Sequence, residues 1–401
     1  MCKQIVIWFL VFSAFCGRNA FAAPYSKTIS VEIFGDILTL PVDESLYIEY
    51  QGPISEESLW DFHQNISRAC SEPLVAALQQ YRAEKQLNDW LYYQLVRRTA
   101  QQLAPKEENY YRYTLYKWFL MVRSGFDATL GIYNDQLLFY VYSHDEVYNI
   151  PLYKKDGKQY VCLNIHDYMR ASQDFKAIVS MVDLPEADAV RPFSYTVSRR
   201  PDFNPDQYRE QDLRFPYANK EYHFKLKVNP QVQNIFANYP VVDYGTYFNI
   251  PVSKYTYQSL VPGLKQQMKR LNTKNGVEYL MKFTRNAFLY EDDRLSFGKE
   301  KRMGPEETLL SFSSDCDDRA ALFFFLVKEI YDLPMIALLY EDHITIAVHF
   351  KKGYGKTITH NGIEYSICEP TPQSTDLSIG RIAENYRHQP YTVVYSYLPH
   401  K

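Results

Sequence analysis

The stretch Ser313-Ser314-Asp315-Cys316-Asp317-Asp318-Arg319, with the apolar run that follows it, decides the fold. Ser314 with Asp317 three residues on has the form of a capping box, so a helix starts here with Cys316 in its first turn. Unpaired backbone N–H groups and the positive end of the helix dipole favour a thiolate at such a position. The same N–H groups can hold the oxyanion that forms when sulfur attacks a carbonyl. The neighbouring acids push the other way, and a protonated histidine or a bound cation is needed to offset them. A free cysteine is commonly a buried, inert core residue. One capped into a helix start beside acids makes a poor core residue.

Downstream, the apolar spacing predicts a helix from Cys316 to about Tyr331 and then strands at 335–340, 343–350 and 364–369. In the second strand His343, Thr345, Ala347 and His349 share one face, with Ile344, Ile346 and Val348 on the other. Glu369 closes the third strand just before Pro370-Thr371. A nucleophile at a helix start, a base on one strand and an acid on the next is the order that a thiol–imidazole pair needs. His349 is a rival base. It lies six strand residues from His343, roughly 20 Å, so only one of the two can face the thiol. Cys368 alternates to the face opposite Glu369 and reads as core.

Asp315-Cys-Asp-Asp-Arg319, His343 opening an apolar strand, and Tyr365-Ser-Ile-Cys-Glu-Pro-Thr371 together resemble the transglutaminase-like (papain-fold) superfamily. More narrowly they are similar to its exported bacterial cysteine-proteinase-like members. Tyr290-Glu-Asp-Asp293 and Pro305-Glu-Glu-Thr-Leu309 fit the same resemblance, which spans residues 257–385. It implies an α+β, papain-like core in which the cysteine-bearing helix packs on an antiparallel sheet. Cys316 would then be the nucleophile, His343 the base and Glu369 the acid that orients the ring. The family more often has Asp at the last position and a Trp after the histidine, where this chain has Ile344-Thr345. No side-chain oxyanion donor is identifiable. Asp315 and Asp317, with Asp292 and Asp293 a loop away, form an oxygen cluster of the kind that holds calcium. Some similar bacterial proteinases bind calcium beside the cysteine. Without a cation, these are solvated acids capping a helix, and no other cofactor is implied.

Working outward, the pattern recurs. Leu115 to Val141 aligns without a gap on Leu322 to Val348, with Leu115, Tyr133, Asp135 and Val141 identical to their counterparts. In both places an apolar helix, a strand, a Tyr-x-Asp turn and a second strand follow one another. Later a Gly-x-x-Tyr enters a last strand. This predicts an internal repeat, a degenerate second copy of the core. The positions matching Cys316, His343 and Glu369 are Asn109, Gln136 and Asn164, which cannot do thiol chemistry. The first copy would serve as scaffold or substrate platform.

Before it, alternation at Ile29, Val31, Ile33, Leu38 and Leu40 predicts a strand pair. Helices follow at 57–69, 73–104 and 111–123, then strands at 127–133, 136–143 and 159–164. The middle, 170–255, is rich in Pro and Tyr and alternates at 192–198 and 222–228, which reads as β-rich connecting structure. Helices return at 257–271 and 275–289. The expected organisation is therefore strands at 23–56, a degenerate repeat at 57–169, the connecting region at 170–255 and a catalytic unit at 256–395.

Residues 1–22 read as a cleavable leader: Lys3, an apolar stretch from Ile5 to Phe15, then Ala20-Phe21-Ala22. The run is too short to span a bilayer and is followed by Arg18. Phe15 occupies the place where a lipidated Cys16 would need a small residue. An exported protein of the periplasm or cell envelope is expected. The remaining chain, about 380 residues, exceeds what one core usually serves. Lys plus Arg at 44 against Asp plus Glu at 47 leaves no field for nucleic acid. The spacing of Cys70, Cys162, Cys316 and Cys368 matches neither a disulfide scaffold nor a zinc site. The 36 tyrosines suit packed sheets and binding surfaces equally. The expected activity is acyl transfer from a peptide or glutamine amide, with hydrolysis favoured over cross-linking. The competing expectation is a non-catalytic binding protein that keeps the fold.

Overall fold

A computed structural model describes residues 27–168, 179–186, 188–292 and 301–399. Residues 1–22, which read as a leader, and Asp293 lie outside these. The alternating N-terminal residues form a hairpin of β1 (Lys27–Ile33) and β2 (Asp36–Val42). Helices α1 (Glu56–Ile66), α2 (Glu72–Lys85), α3 (Asp89–Leu103) and α4 (Tyr110–Arg123) follow. The single helix expected over 73–104 is two. Gln86 adopts a left-handed conformation (φ 52°, ψ 45°) and ends α2, and the Asn88 side chain caps α3 by accepting from Leu91 N–H.

After α4 come β3 (Ala128–Tyr133), β4 (Gln136–Tyr142), β5 (Val147–Tyr148), β6 (Leu152–Lys155), β7 (Lys158–Cys162) and β8 (Ser180–Val182). In the middle region the segment 192–198 is not a strand. Phe193, Tyr195 and Val197 are buried in alternation, but Ser194 N–H and Tyr195 N–H donate to the carboxylates of Asp89 and Asp145 instead of to a ladder. The alternation at 222–228 belongs to a hairpin of β9 (Arg209–Tyr217) and β10 (Lys220–Val228). Next are α5 (Gln231–Phe236), β11 (Val241–Val242) and α6 (Tyr244–Phe248).

The last part holds α7 (Lys254–Met268), α8 (Thr273–Asn286), β12 (Leu289–Tyr290), α9 (Pro305–Leu310), β13 (Ser313–Ser314) and α10 (Cys316–Tyr331). It ends with β14 (Met335–Leu339), β15 (Ile344–Val348), β16 (Thr357–His360), β17 (Ile363–Cys368) and β18 (Thr392–Tyr397). The class is α+β.

Two five-stranded antiparallel sheets carry the architecture, in the orders β6-β7-β4-β3-β8 and β16-β17-β15-β14-β18. Taken strand for strand, these orders are the same, and so is the register in three of the four strand pairs; β14 and β18 pair with a shift at Ala337 that β3 and β8 do not show. Ala128 pairs with Val141 as Met335 pairs with Val348, and Leu152 pairs with Val161 as Thr357 pairs with Ser366. The tight turns match as well: Asp156-Gly157 and Asn361-Gly362 both have positive φ at both positions, as a two-residue hairpin turn requires. One face of each sheet packs on helices in a shared core that runs from Val31 to Tyr397. The other face of each carries a small cluster of its own, around Leu138, Tyr140 and Cys162 in one and Ala347, Tyr365 and Ile367 in the other. Among the described residues, no helix is long and apolar enough to cross a membrane.

Candidate functional site

Helix α10 begins where the reading of the sequence put it, but its cap lies one residue later. The Asp315 carboxylate accepts from Asp318 N–H at 3.2 Å, and the Asp318 carboxylate reaches back to Asp315 N–H at 3.4 Å. Ser314 belongs to β13, which pairs in parallel with β12 and so takes no part in the cap. Asp318 also accepts from Met303 N–H at 2.8 Å, which fixes the approach of the preceding segment. Arg319 is fully buried and donates to five carbonyls, those of Ser314, Thr284, Arg285, Phe288 and Leu289. It ties the start of α10 to the end of α8 and to β12. Burial in this carbonyl cage lowers its pKa to about 10.

Cys316 is the first residue of α10 and is half-buried. Burial pushes the thiol well above its ordinary value, and Asp317, Asp315 and Glu369 push in the same direction, while a hydrogen bond from Ile344 N–H opposes them. The thiolate expected from the helix dipole is therefore not the resting form. Desolvation and two flanking carboxylates outweigh a half-charge at one turn. All four cysteines of the described chain are free, Cys316 included.

His343 and Glu369 are brought together. Nε2 of the ring lies 2.8 Å from Glu369 Oε2, and both side chains are buried (5% and 3% exposed). Glu369 Oε1 accepts from Thr371 N–H at 2.9 Å, so both carboxylate oxygens are engaged. Arg285 holds the same corner from below by donating to the backbone carbonyls of Glu369 and Leu377. The longer glutamate therefore makes the contact usually made by aspartate. Tyr386 stacks on the imidazole, with ring centroids 4.7 Å apart and planes 18° from parallel. With Nε2 on the glutamate, Nδ1 is the nitrogen left for a proton from elsewhere.

The third side of the constellation is looser. His343 and Glu369 alternate with Ile344 and Cys368, which face the helix core, so they emerge at the strand ends on the other face. Cys316 sits on the helix side, against the Ile344 N–H. Among the described residues no hydrogen bond joins its sulfur to the imidazole; its side-chain contact is a long one, 3.9 Å to Asp317 Oδ1. Resting catalytic hydrogen bonds are often long and tighten with substrate bound. His349 is directed elsewhere, with Nδ1 2.8 Å from Glu364 O.

Of the acids read as a calcium cluster, Asp315 and Asp317 have protein partners, and Asp293 lies outside the described residues. Asp315 caps the helix, and Asp317 pairs with Arg302 Nε at 3.0 Å. Among the described residues no group of three or more His, Cys, Asp or Glu side chains is placed to hold a metal.

Reading the sequence missed Tyr386, Arg285 and the Ile344 N–H. Tyr386 lies in a short 3-10 turn (Glu384–Tyr386) of a Tyr-rich tail, and Arg285 in an amphipathic helix. Neither has a local pattern that marks it. Comparison of the chain with protein-family models, with curated proteins and with solved structures finds no match.

Proposed function

We propose that this chain is an exported thiol acyl-transfer enzyme that acts on peptide or glutamine amides through Cys316, His343 and Glu369. The observation that carries the reading is the buried His343–Glu369 pair, with a cysteine at the start of α10 whose thiol feels the Glu369 carboxylate. His343 Nδ1 takes the thiol proton as sulfur attacks the carbonyl, so the resting thiol need not be ionised. Glu369 stabilises the imidazolium that results. Backbone N–H groups at the start of α10 and the Ile344 N–H are the donors available to the oxyanion. The imidazolium then protonates the departing amine, and a thioester on Cys316 remains. Water resolves it in a protease or amidase; a second amine resolves it in a cross-linking enzyme. Hydrolysis is favoured by the resemblance to exported bacterial proteinases alone.

In this reading the second sheet with its helix is the papain-like core. The first sheet, with the same strand order and the same register in three strand pairs, is its degenerate copy and acts as platform. The test is labelling by a thiol-directed peptide electrophile. The wild-type chain should be modified at Cys316, and both Cys316→Ala and His343→Ala should lose the label. Labelling that persists in His343→Ala would remove the histidine from the mechanism.

A second reading has one observation in its favour: the sulfur contacts a backbone N–H and is held protonated. A binding protein that keeps the fold without the chemistry would give no Cys316-dependent label in the wild-type chain.

A further inference from the structure

A cavity of about 500 Å³ opens between the end of α2, the start of α3 and the segment around 191–198. It belongs to the unit that lacks the thiol, so nothing in the proposed acyl transfer accounts for it. Two guanidiniums line it. Arg191 lies 3.8 Å from the centroid of the Phe126 ring, and Arg82 approaches the same ring at 5.4 Å and Tyr92 at 4.9 Å. Aromatic faces attract these cations but supply no net negative charge.

Among the described residues, Asp89 is the carboxylate that acts on both guanidiniums. Asp89 accepts from Arg82 Nη2 at 2.5 Å and, through its other oxygen, from Ser194 N–H at 3.0 Å. Arg82 Nε donates to Leu87 O at 3.4 Å. Among the described residues its Nη1 has no hydrogen-bond partner, and neither do Nε and Nη2 of Arg191, although all three nitrogens are enclosed. At the rim, Arg199 is satisfied by Gln86 and Asp202, and Lys85 turns away to Asp36. Two desolvated cations thus share one carboxylate that is already engaged. Burial, then repulsion by Arg82, lowers the pKa of Arg191, with Asp89 opposing. Enclosed donors without an acceptor cost free energy that an incoming oxygen would recover.

We propose that this cavity binds a small ligand through an oxyanion, a carboxylate or a phosphate, seated between Arg82 and Arg191. Guanidiniums match both groups by paired N–H donors. The site is an open groove, wide enough for a small anion, and Gln79 and Ser198 add uncharged polar side chains to its wall.

The test is thermal unfolding of the whole chain, at constant ionic strength, against inorganic phosphate and separately against citrate. The midpoint should rise and saturate in at least one series; the series that responds tells phosphate from carboxylate recognition. Arg191→Met should weaken that response at least about tenfold, which is ~1.4 kcal/mol of binding. Ser198→Glu places a carboxylate on the wall, and should raise the midpoint without ligand and remove the response. The proposal is overturned if neither series saturates in the wild-type chain, or if Arg191→Met responds as the wild type does. Should Arg191→Met fail to fold, an unchanged response in Ser198→Glu overturns it equally.

Discussion

Burial and the carboxylates of Asp317, Asp315 and Glu369 hold the Cys316 thiol protonated, and this makes its reactivity steeply dependent on pH. Alkylation by iodoacetamide should be slow at pH 7 and should rise only above the ordinary thiol value of 9.0. Replacing Asp317 with Asn removes one negative neighbour, so the pKa falls and the rise should move to lower pH; an unmoved profile would show that burial alone sets it. A second residue carries an opposite shift. Lys117 is buried within α4, where its repeat counterpart is Phe324, and burial lowers its pKa from 10.5 to about 7, with Asp167 opposing. The unfolded chain binds this proton more tightly between those two values, so stability from this site rises with pH across that window and is lost as pH falls through 7. In Lys117→Met the urea midpoint should change less between pH 7 and 9 than in the wild type. At this scale the sequence was legible for the placing of Cys316 at a helix start and for the meeting of His343 with Glu369. It was silent on Lys117, because a lysine in an apolar helix carries no sign of whether it lies under solvent or under aromatic rings.

The start of α10 is the element on which the site depends. Asp315→Ala removes an N-cap and should cost about 1 kcal/mol in chemical denaturation. Arg319→Met strips charged donors from five carbonyls around α8, β12 and α10 and should cost about 3 kcal/mol, since hydrogen bonds to charged groups are the strong ones. A loss for Arg319→Met no larger than for Asp315→Ala would mean that water replaces those donors. The bounds of α10 were legible because an acid-capped apolar run admits little else. The break between α2 and α3 was not, since Gln86 carries none of the turn preference of glycine or asparagine and is placed in its left-handed conformation by the packing around it. The segment 192–198 shows the converse: alternation is real there, but alternation reports burial and not a ladder partner.

Over the whole molecule, one apolar core joins the helices of both units, from Val31 to Tyr397. Urea should therefore unfold the chain in a single transition, and a fragment of residues 256–401 should not fold alone. Separate transitions for the two halves, or a folded fragment with dispersed amide resonances, would show that each closes its own core. The repeat was legible as a pattern of apolar helix, turn and paired strands, with four identical residues behind it. That the two units share a core was not, because a pattern within each half says nothing of the surface between them.

The register common to three strand pairs of the two sheets has a consequence during refolding. Each of these strands of one sheet meets, in the other, a partner whose turns and spacing also accept it, so a chain released from denaturant can zip against the wrong half. Between two chains the same error closes a swapped dimer. Recovery of monomer after dilution from urea should fall as protein concentration rises, with a dimer appearing on gel filtration. The side chains that differ between the halves, Lys117 against Phe324 among them, are what tell one copy of the pattern from the other.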